Sequence, residues 1–353
     1  MTFNINKLVR AHIKSIIPYS SARDEFSGNA DIFLDANENS LGPLSSNCYN
    51  RYPDPHQVAL KEQISKIKQI PVENIFLGNG SDECIDLLYR CFCEPAIDTV
   101  IICPPTYGMY EVSATINNVK IRKVPLTDNF QIDIKSVWDQ IDSYTKIIWL
   151  CSPNNPSGND LNFEEIETLL NSFEGIVVVD EAYIDFSGQK TFTSILSKYP
   201  NLVVLQTLSK AYGLAGLRLG MAFSSREIVH YLNCIKPPYN ISHPSQELAL
   251  QSLKNINSVN FSINEIIRMR NELSIDLKRL KIVQIVFPSN ANFLLVKMVN
   301  AHAVYQYLLS NAIVVRDRSK VQFCEDCLRI TVGTKNENTK LMDALINYEK
   351  NFF

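Results

Sequence analysis

The sequence predicts an α/β protein with a large lobe around a mostly parallel seven-stranded sheet flanked by helices, and a smaller C-terminal α/β lobe. Between residues 72 and 223, short runs rich in Val and Ile alternate with longer helical patterns, which is typical of a parallel sheet. Several runs are apolar at every position, so we expect helices on both faces of the sheet. Beyond Pro237 and Pro238 the pattern changes to a long helical stretch that opens the second lobe.

These patterns divide the chain into an arm over residues 1–28, a large domain over 29–237 and a small domain over 238–353. Apolar residues of the arm recur at helical spacing and predict a short amphipathic helix docked on the body. The strands predicted in the large domain are Ile75–Leu77, Val100–Cys103, Ile121–Val124, Ile147–Leu150, Ile176–Val179, Leu202–Leu205 and Leu219–Phe223. Those predicted in the small domain are Ile282–Phe287, Ala291–Lys297, Ile313–Arg316 and Leu328–Val332.

Composition argues against several classes of function. The net charge is −3, with 34 basic and 37 acidic side chains and no long basic block, so nucleic acid is not an expected partner. The chain has no apolar run of the ~18 residues needed to span a membrane and no signal peptide at its start, so we expect a cytoplasmic protein without a membrane partner. Its nine cysteines are scattered, and the pair Cys324 and Cys327 lacks a second ligand pair, so neither disulfides nor a metal site is expected.

Polar residues of types that bind ligands or take part in reactions follow four of the predicted strands, at the edge where open α/β sheets bind ligands. The segment Gly78–Glu83 leads from a strand into a helix, whose free N–H groups could hold a phosphate. The segment Ser152–Gly158 forms a turn that directs an Asn amide into the cleft. Each of these segments alone is only a common turn.

The other two strand ends carry charge. Asp180 ends a buried strand, where a carboxylate is costly without a cationic partner, so we expect a positive group to face it. Lys210 lies just past a buried strand and Arg218 follows eight residues later. A lysine removed from water is a potential nucleophile.

Together, the four segments resemble the fold-type I aminotransferases, which depend on pyridoxal 5'-phosphate (PLP). Sequences of that family carry an Asn-Pro-(Thr/Ser)-Gly turn, a strand that ends in Asp with Tyr three residues later, and Ser-Lys followed by Arg. The order and spacing match here over more than 130 residues, from Gly78 to Arg218. The resemblance implies the fold of PLP-dependent transferases of fold type I.

The resemblance also implies a role for each residue. Lys210 would hold PLP as a Schiff base and carry the proton during the reaction, and Asp180 would pair with the pyridine nitrogen. Asn155 and Tyr183 would hydrogen-bond the ring hydroxyl, and Tyr107 would stack on the ring, although core packing explains Tyr107 equally well. The cofactor phosphate would be bound by Gly80, Ser81, Asp82, Ser209 and Arg218.

Five further segments narrow the resemblance within the family: Pro18–Arg23, Leu34–Asn39, Asn50–Asp54, Val315–Arg318 and Leu328–Gly333. On these segments, the chain most resembles the histidinol-phosphate aminotransferases. The likeness implies a homodimer in which Tyr52 reaches the cofactor phosphate of the neighbouring subunit. It also implies that the arm folds over the active site, and that Tyr19, Asn37, Arg316 and Arg329 bind the anionic end of the substrate. A surface ion pair is the alternative for Arg316.

The implied reaction is the ping-pong exchange of an amino group between L-histidinol phosphate and 2-oxoglutarate, which yields imidazole-acetol phosphate and glutamate in histidine biosynthesis. An aminotransferase for aromatic amino acids and a phosphothreonine decarboxylase are the nearest alternatives, since such enzymes share nearly every cofactor contact. A non-catalytic PLP-binding regulator is the alternative from another class. The few residues before the aminotransferase-like body argue against a DNA-binding module there.

Overall fold

The protein is described by a computed structural model that covers residues 3–21, 23, 30–43 and 49–353. The predicted boundary between residues 28 and 29, and also Cys48, lie outside these described residues. Within them, none of the helices is both long and apolar enough to cross a bilayer.

The first lobe alternates strands and helices as the sequence predicts. Its strands are β1 (Ile75–Asn79), β2 (Thr99–Ile102), β3 (Lys120–Lys123), β4 (Thr145–Cys151), β5 (Ile176–Asp180), β6 (Leu202–Thr207) and β7 (Leu219–Ser224). Its helices are α1 (Ala11–Lys14), α2 (Val58–Lys68), α3 (Ser81–Phe92), α4 (Met109–Ile116), α5 (Ile134–Asp139), α6 (Phe163–Ser172) and α7 (Arg226–Ile235). Short 3₁₀ turns lie at Ile5–Lys7, Val72–Asn74, Ile184–Phe186, Phe192–Ile195 and Ala215–Leu217.

The seven strands form one sheet in the order β1-β7-β6-β5-β4-β2-β3. Strands β3, β2, β4, β5 and β6 run parallel, whereas β7 is antiparallel to both of its neighbours. The prediction of a mostly parallel seven-stranded sheet is therefore confirmed. The carboxyl ends of β4, β5 and β6 lie side by side, which brings their polar end residues to one edge.

Both faces of the sheet are buried because successive side chains of a strand point to opposite sides. Val177 and Val179 belong to one apolar core, and Ile176 and Val178 belong to the other. These four side chains have no measurable exposure. The uniformly apolar strand sequences follow from this position between two helical layers.

The N-terminal segment docks on the body, but not as the single helix predicted from its periodicity. A 3₁₀ turn and the short α1 are separated at Arg10, whose extended backbone donates to the Cys91 carbonyl at 3.0 Å. The Arg10 side chain also pairs with Glu94 at 3.2 Å. These contacts with the end of α3 interrupt the helix, while Ile5 and Ile13 still reach the core.

Helix α8 (His243–Leu253) packs against α2 and the core beside the large sheet. The second lobe comprises α9 (Ile256–Leu277), β8 (Val283–Val286), β9 (Phe293–Met298), α10 (Ala301–Ser310), β10 (Arg316–Asp317), β11 (Cys327–Thr331) and α11 (Lys335–Phe352). Its strands form a four-stranded antiparallel sheet in the order β10-β11-β9-β8. The strand predicted from Ile313 begins only at Arg316. The Ile313 N–H still bonds to the Leu308 carbonyl at 2.9 Å, which closes the end of α10 before the strand can start.

Gly220 allows β7 to pass directly beneath the start of α3. A Cβ atom at Gly220 would lie 2.1 Å from the Ser81 nitrogen and 2.3 Å from the Gly80 carbonyl carbon. These are backbone atoms that no side-chain rotation can move, so the close approach requires glycine.

We expect Gly220→Ala to displace the start of α3, and therefore to lower both stability and cofactor affinity. Overpacking of this kind costs about 1–3 kcal/mol or more in free energy of unfolding. Thermal unfolding and equilibrium titration with PLP measure the two effects. Gly188→Ala is the matched control, since a Cβ there meets no atom within 4 Å; equal behaviour of the two variants would contradict the steric argument.

Candidate active site

A cavity of about 590 Å³ opens at the carboxyl edge of the large sheet and reaches the small lobe. Its walls come from the starts of α3 and α4, from the ends of β4, β5 and β6, and from β10 and β11. The lining residues are Ser81, Asp82, Tyr107, Gly108, Met109, Val112, Cys151, Asn155, Asp180, Ala182, Tyr183, Thr207, Ser209, Lys210, Arg218, Arg316, Arg318 and Arg329.

One end of the cavity is suited to a phosphate group. Gly80 precedes α3 with a φ of +78°, and its lack of a side chain leaves the first helical N–H groups without a side-chain cap. A Cβ at Gly80 would lie 2.6 Å from Arg218 Nη2, so glycine makes room for the guanidinium. Arg218 Nη2 lies 3.2 Å from Asp82 Oδ2, and Ser209 lines the same cavity. Helix dipole, free N–H groups and a guanidinium favour an anion here.

Asp180 is buried at the end of β5, with 2% of its surface exposed. Tyr110 donates to its Oδ2 at 2.7 Å and the Ala182 N–H donates to its Oδ1 at 3.1 Å. Burial raises the pKa of the Asp180 carboxyl to about 6, and the two hydrogen bonds oppose that shift. The salt bridges formed within residues 3–21, 23, 30–43 and 49–353 include none to Asp180, so its charge calls for a cationic ligand group.

A hydrogen-bonded chain links the two lobes across the cavity. The Asn155 amide donates to the Tyr183 hydroxyl at 3.4 Å, and the Arg329 guanidinium donates to the Asn155 carbonyl oxygen. Arg329 also lies over the Phe293 ring, 5.3 Å from its centroid. Burial raises the pKa of the Tyr183 hydroxyl, while nearby Arg329 opposes this shift. Tyr183 therefore stays protonated and able to donate to an acceptor.

Lys210 also lines the cavity. Its Nζ lies 5.7 Å from the centre of the Tyr183 ring. The surrounding protein and the nearby Arg329 lower the pKa of the Lys210 ammonium, and Asp180 opposes this effect. A lowered pKa increases the fraction of neutral amine, the form that attacks a carbonyl carbon.

Three guanidinium groups line the end of the cavity that faces the small lobe. Arg316 lies directly opposite Arg329 in the antiparallel pair β10–β11, and Arg318 follows two residues later. Burial and Arg316 lower the pKa of Arg329, although Tyr183 has the opposite effect. Like charges directly opposite on a sheet destabilise it, so the arrangement suits an anionic ligand.

The single chain does not bring three of the predicted residues to this cavity. Tyr52 stacks on Tyr239 with ring centroids 4.4 Å apart. Tyr19 is 75% exposed and lines a separate groove between the arm and α7. Asn37 lies in an exposed part of the chain with a φ of +55°. Their roles stay predictions, and the role predicted for Tyr52 involves a second subunit.

Two residues of the site are absent from the sequence prediction. Tyr110 holds Asp180, and its ring stacks on Trp149 with centroids 5.0 Å apart. Its place in Pro104–Tyr110, three residues after Tyr107, was the available signal. Arg318 was detectable from its spacing, since residues i and i+2 of a strand share one face.

The cavity fits PLP. Asp180 lacks a cationic partner in the described part of the chain, as expected for a residue that pairs with a protonated ring nitrogen. Asn155 and Tyr183 offer hydrogen bonds for the ring hydroxyl, and the uncapped start of α3 with Arg218 offers a phosphate site. Tyr107 lines the wall and donates to Asp82 at 3.0 Å.

Comparison with known proteins agrees with this geometry. The family model "Aminotransferase class I and II" matches residues 30–345. A histidinol-phosphate aminotransferase of Cytophaga hutchinsonii is 50% identical over 99% of this chain and 100% of its own length. One from Parabacteroides distasonis is 52% identical over 98% and 99%. The crystal structure of histidinol-phosphate aminotransferase from Sinorhizobium meliloti in complex with pyridoxal-5'-phosphate superposes with a TM-score of 0.79, at 22% identity, over 90% of each chain.

We expect Asp180→Asn to stabilise the cofactor-free protein at pH 8. The folded chain holds the Asp180 proton up to about pH 6, whereas the unfolded chain releases it near 3.8. Folding is therefore penalised above pH 6, by an amount on the order of 2–3 kcal/mol, and the penalty disappears as the pH falls toward 4.

Urea unfolding of the cofactor-free variant and wild type between pH 4 and 8 measures this difference. Asp139→Asn, at an exposed position, is the control and should leave the pH dependence unchanged. A stability difference between Asp180→Asn and wild type that does not vary with pH would refute the assignment of this titration to Asp180.

Proposed function

The chain belongs to the class I and II aminotransferase family, and we propose that it exchanges an amino group between L-histidinol phosphate and 2-oxoglutarate. The products are imidazole-acetol phosphate and L-glutamate, and the step belongs to histidine biosynthesis. One observation carries the proposal: Lys210 and Asp180 share a cavity with the three guanidinium groups of Arg316, Arg318 and Arg329. The names of the curated relatives support the choice of amino donor.

Each residue contributes one physical effect to this reaction. When bound, PLP supplies an aldehyde that accepts the amino group and a ring that withdraws electrons. Lys210 provides the amine that holds the cofactor and moves a proton at the substrate carbon. Asp180 would favour the protonated form of the ring nitrogen, because a nearby opposite charge stabilises a cation. Asn155 and Tyr183 orient the ring through its hydroxyl.

One pocket serves both half-reactions. The phosphate of histidinol phosphate and the distal carboxylate of glutamate are both anionic, and a guanidinium can bind either through paired hydrogen bonds. The substrates of a ping-pong reaction occupy the site in turn, so Arg316 and Arg329 can bind each of them.

We expect the purified protein to transfer the amino group of histidinol phosphate to 2-oxoglutarate over many turnovers. Lys210→Ala should abolish transfer, and borohydride reduction of the wild-type holoprotein followed by peptide mapping should place the cofactor on Lys210. Steady-state rates with histidinol phosphate, phenylalanine and phosphothreonine separate this function from its two alternatives. Absence of turnover with the first would refute the proposal, and absence with every donor would favour a regulator.

The working unit is proposed to be a homodimer with shared active sites. Exposed large apolar residues are concentrated near the start of the chain and include Ile17, Ile32, Leu34 and Leu41, whose exposure ranges from 75 to 98%. Burial of such side chains in a dimer is favourable. Tyr52 belongs to the same region, is half exposed and does not line the cavity of its own chain.

Each of the variants Lys210→Ala and Tyr52→Ala should be defective alone. We expect activity to return in hybrid dimers that contain one subunit of each variant. Random pairing makes about half of the dimers hybrids, and each hybrid contains one site with both native residues, so activity approaches about a quarter of wild type. Co-expression with two affinity tags isolates the hybrids, in which one of the two sites is complete, so the purified hybrid should approach about half of wild-type activity. If Tyr52 instead serves its own subunit, the hybrid has no complete site and activity stays at the mean of the two parents.

We also propose that the domain boundaries are those of the sequence analysis and that the arm folds over the active site. The second lobe has an apolar core of its own within residues 273–345, which supports this division. A cytoplasmic location is proposed on the same grounds of composition as before.

A further inference from the structure

Arg318 occupies a position from which it faces the same ligand as Arg316 and Arg329. Its backbone N–H donates to the Cys327 carbonyl at 2.9 Å, which continues the antiparallel pairing beyond β10. Side chains two residues apart on a strand share a face, and Arg318 lines the same cavity as Lys210.

No anionic side chain neutralises Arg318 in the described part of the chain. The half-buried guanidinium has no salt bridge there, and its buried Nε has no hydrogen-bond partner. The neighbouring Asp317 is committed elsewhere, since its Oδ2 lies 3.0 Å from His302 Nδ1 and its Oδ1 accepts from the Ser319 N–H at 2.8 Å. Arg10 is a partly buried arginine that shows the usual arrangement, since its guanidinium forms a salt bridge with Glu94 at 3.2 Å.

The surroundings of Arg318 oppose its charge. Burial lowers the pKa of the Arg318 guanidinium, and the positive charges of Arg329 and Arg316 lower it further. A half-buried cation beside two others is unfavourable for the empty protein. Such an arrangement is expected at a functional site, where residues needed for function replace residues that would stabilise the fold more.

We propose that Arg318 is a third substrate-binding residue that recognises the second negative charge of the phosphate, and so favours phosphate monoesters over carboxylates. This inference rests on the proposed function and identifies the feature that separates the two substrates of the same pocket. A phosphate monoester carries a charge of about −1.5 to −2 near pH 7 and has three acceptor oxygens. A carboxylate carries a single charge and two oxygens, which Arg316 and Arg329 can satisfy.

Neutral Arg318→Gln and charge-preserving Arg318→Lys test this specificity. We expect Arg318→Gln to raise the KM for histidinol phosphate by about 10- to 100-fold, as for the loss of a charge-assisted hydrogen bond. The KM for 2-oxoglutarate should change by less than about threefold, and kcat should change little, since uniform binding is lost. Arg318→Lys should recover part of the phosphate affinity. Arg279→Gln, which removes an exposed arginine paired with Asp276, is the control.

Thermal unfolding of the ligand-free protein separates this role from a structural one. Removal of one of three mutually repelling cations should leave the unfolding temperature of Arg318→Gln unchanged or raise it. A fall of several degrees would show that Arg318 stabilises the fold and would overturn the proposal. Equal increases of the KM for both substrates would overturn it as well.

Binding of inorganic phosphate to the PLP-loaded protein, measured by calorimetry, distinguishes failure of this inference from failure of the proposed function. We expect Arg318→Gln to lower the affinity of the substrate site for phosphate by at least about tenfold and to leave the affinity for acetate unchanged. If wild type does not use histidinol phosphate and this difference persists, the proposed donor is wrong and the phosphate preference stands. If the difference is absent, the assignment of Arg318 is wrong.

Discussion

The structure depends most on charges that the described part of the chain does not neutralise. Asp180 is buried with only neutral donors, the Tyr110 hydroxyl and the Ala182 N–H. Arg316, Arg318 and Arg329 gather at the other side of the same cavity. Each arrangement costs folding free energy in the empty protein. The cofactor cation proposed at Asp180 and the anionic substrate proposed at the arginines would remove these costs, so folding free energy lost in the empty protein would be recovered on binding.

The scaffold can carry these costs because apolar packing surrounds the site. The central strands are covered on both faces, and their side chains are fully buried. Polar residues occur where these strands end, so the sheet fixes them without interrupting its own ladder. Gly220 and Gly80 then allow α3 to approach β7 and Arg218 closely. The start of α3, where the phosphate site is proposed, is positioned by the backbone contact at Gly220, which is more rigid than a contact between flexible side chains.

Much of this arrangement is predictable from the sequence, because it depends on patterns along the chain. Six of the seven strands of the large sheet follow from apolar runs, whereas β3 (Lys120–Lys123) is more polar and is indicated by Ile121 and Val124. Asp180 and Lys210 follow from their places after apolar runs, and Arg218 follows from its spacing from Lys210. The single N-terminal helix is predicted wrongly because the spacing of apolar residues carries no information about the hydrogen bond from the Arg10 N–H to the Cys91 carbonyl. Tyr110 is missed because its importance depends on a hydrogen bond to a residue 70 positions away.

The unneutralised arginine charges would also determine the direction in which a substrate binds. Asp180 ends β5 of the large sheet, whereas Arg316 and Arg329 belong to the small lobe. Once the proposed cofactor cation is paired with Asp180, the arginines are the charges left to orient a substrate in this cavity. A molecule with an amino group and a distal anion would then meet complementary charge with its anion toward Arg329. The reverse orientation would place a protonated amino group beside the guanidinium groups in a region of low dielectric, where like charges repel strongly. Orientation would thus be selected before chemistry begins, by the same arginine charges that lower the stability of the empty protein.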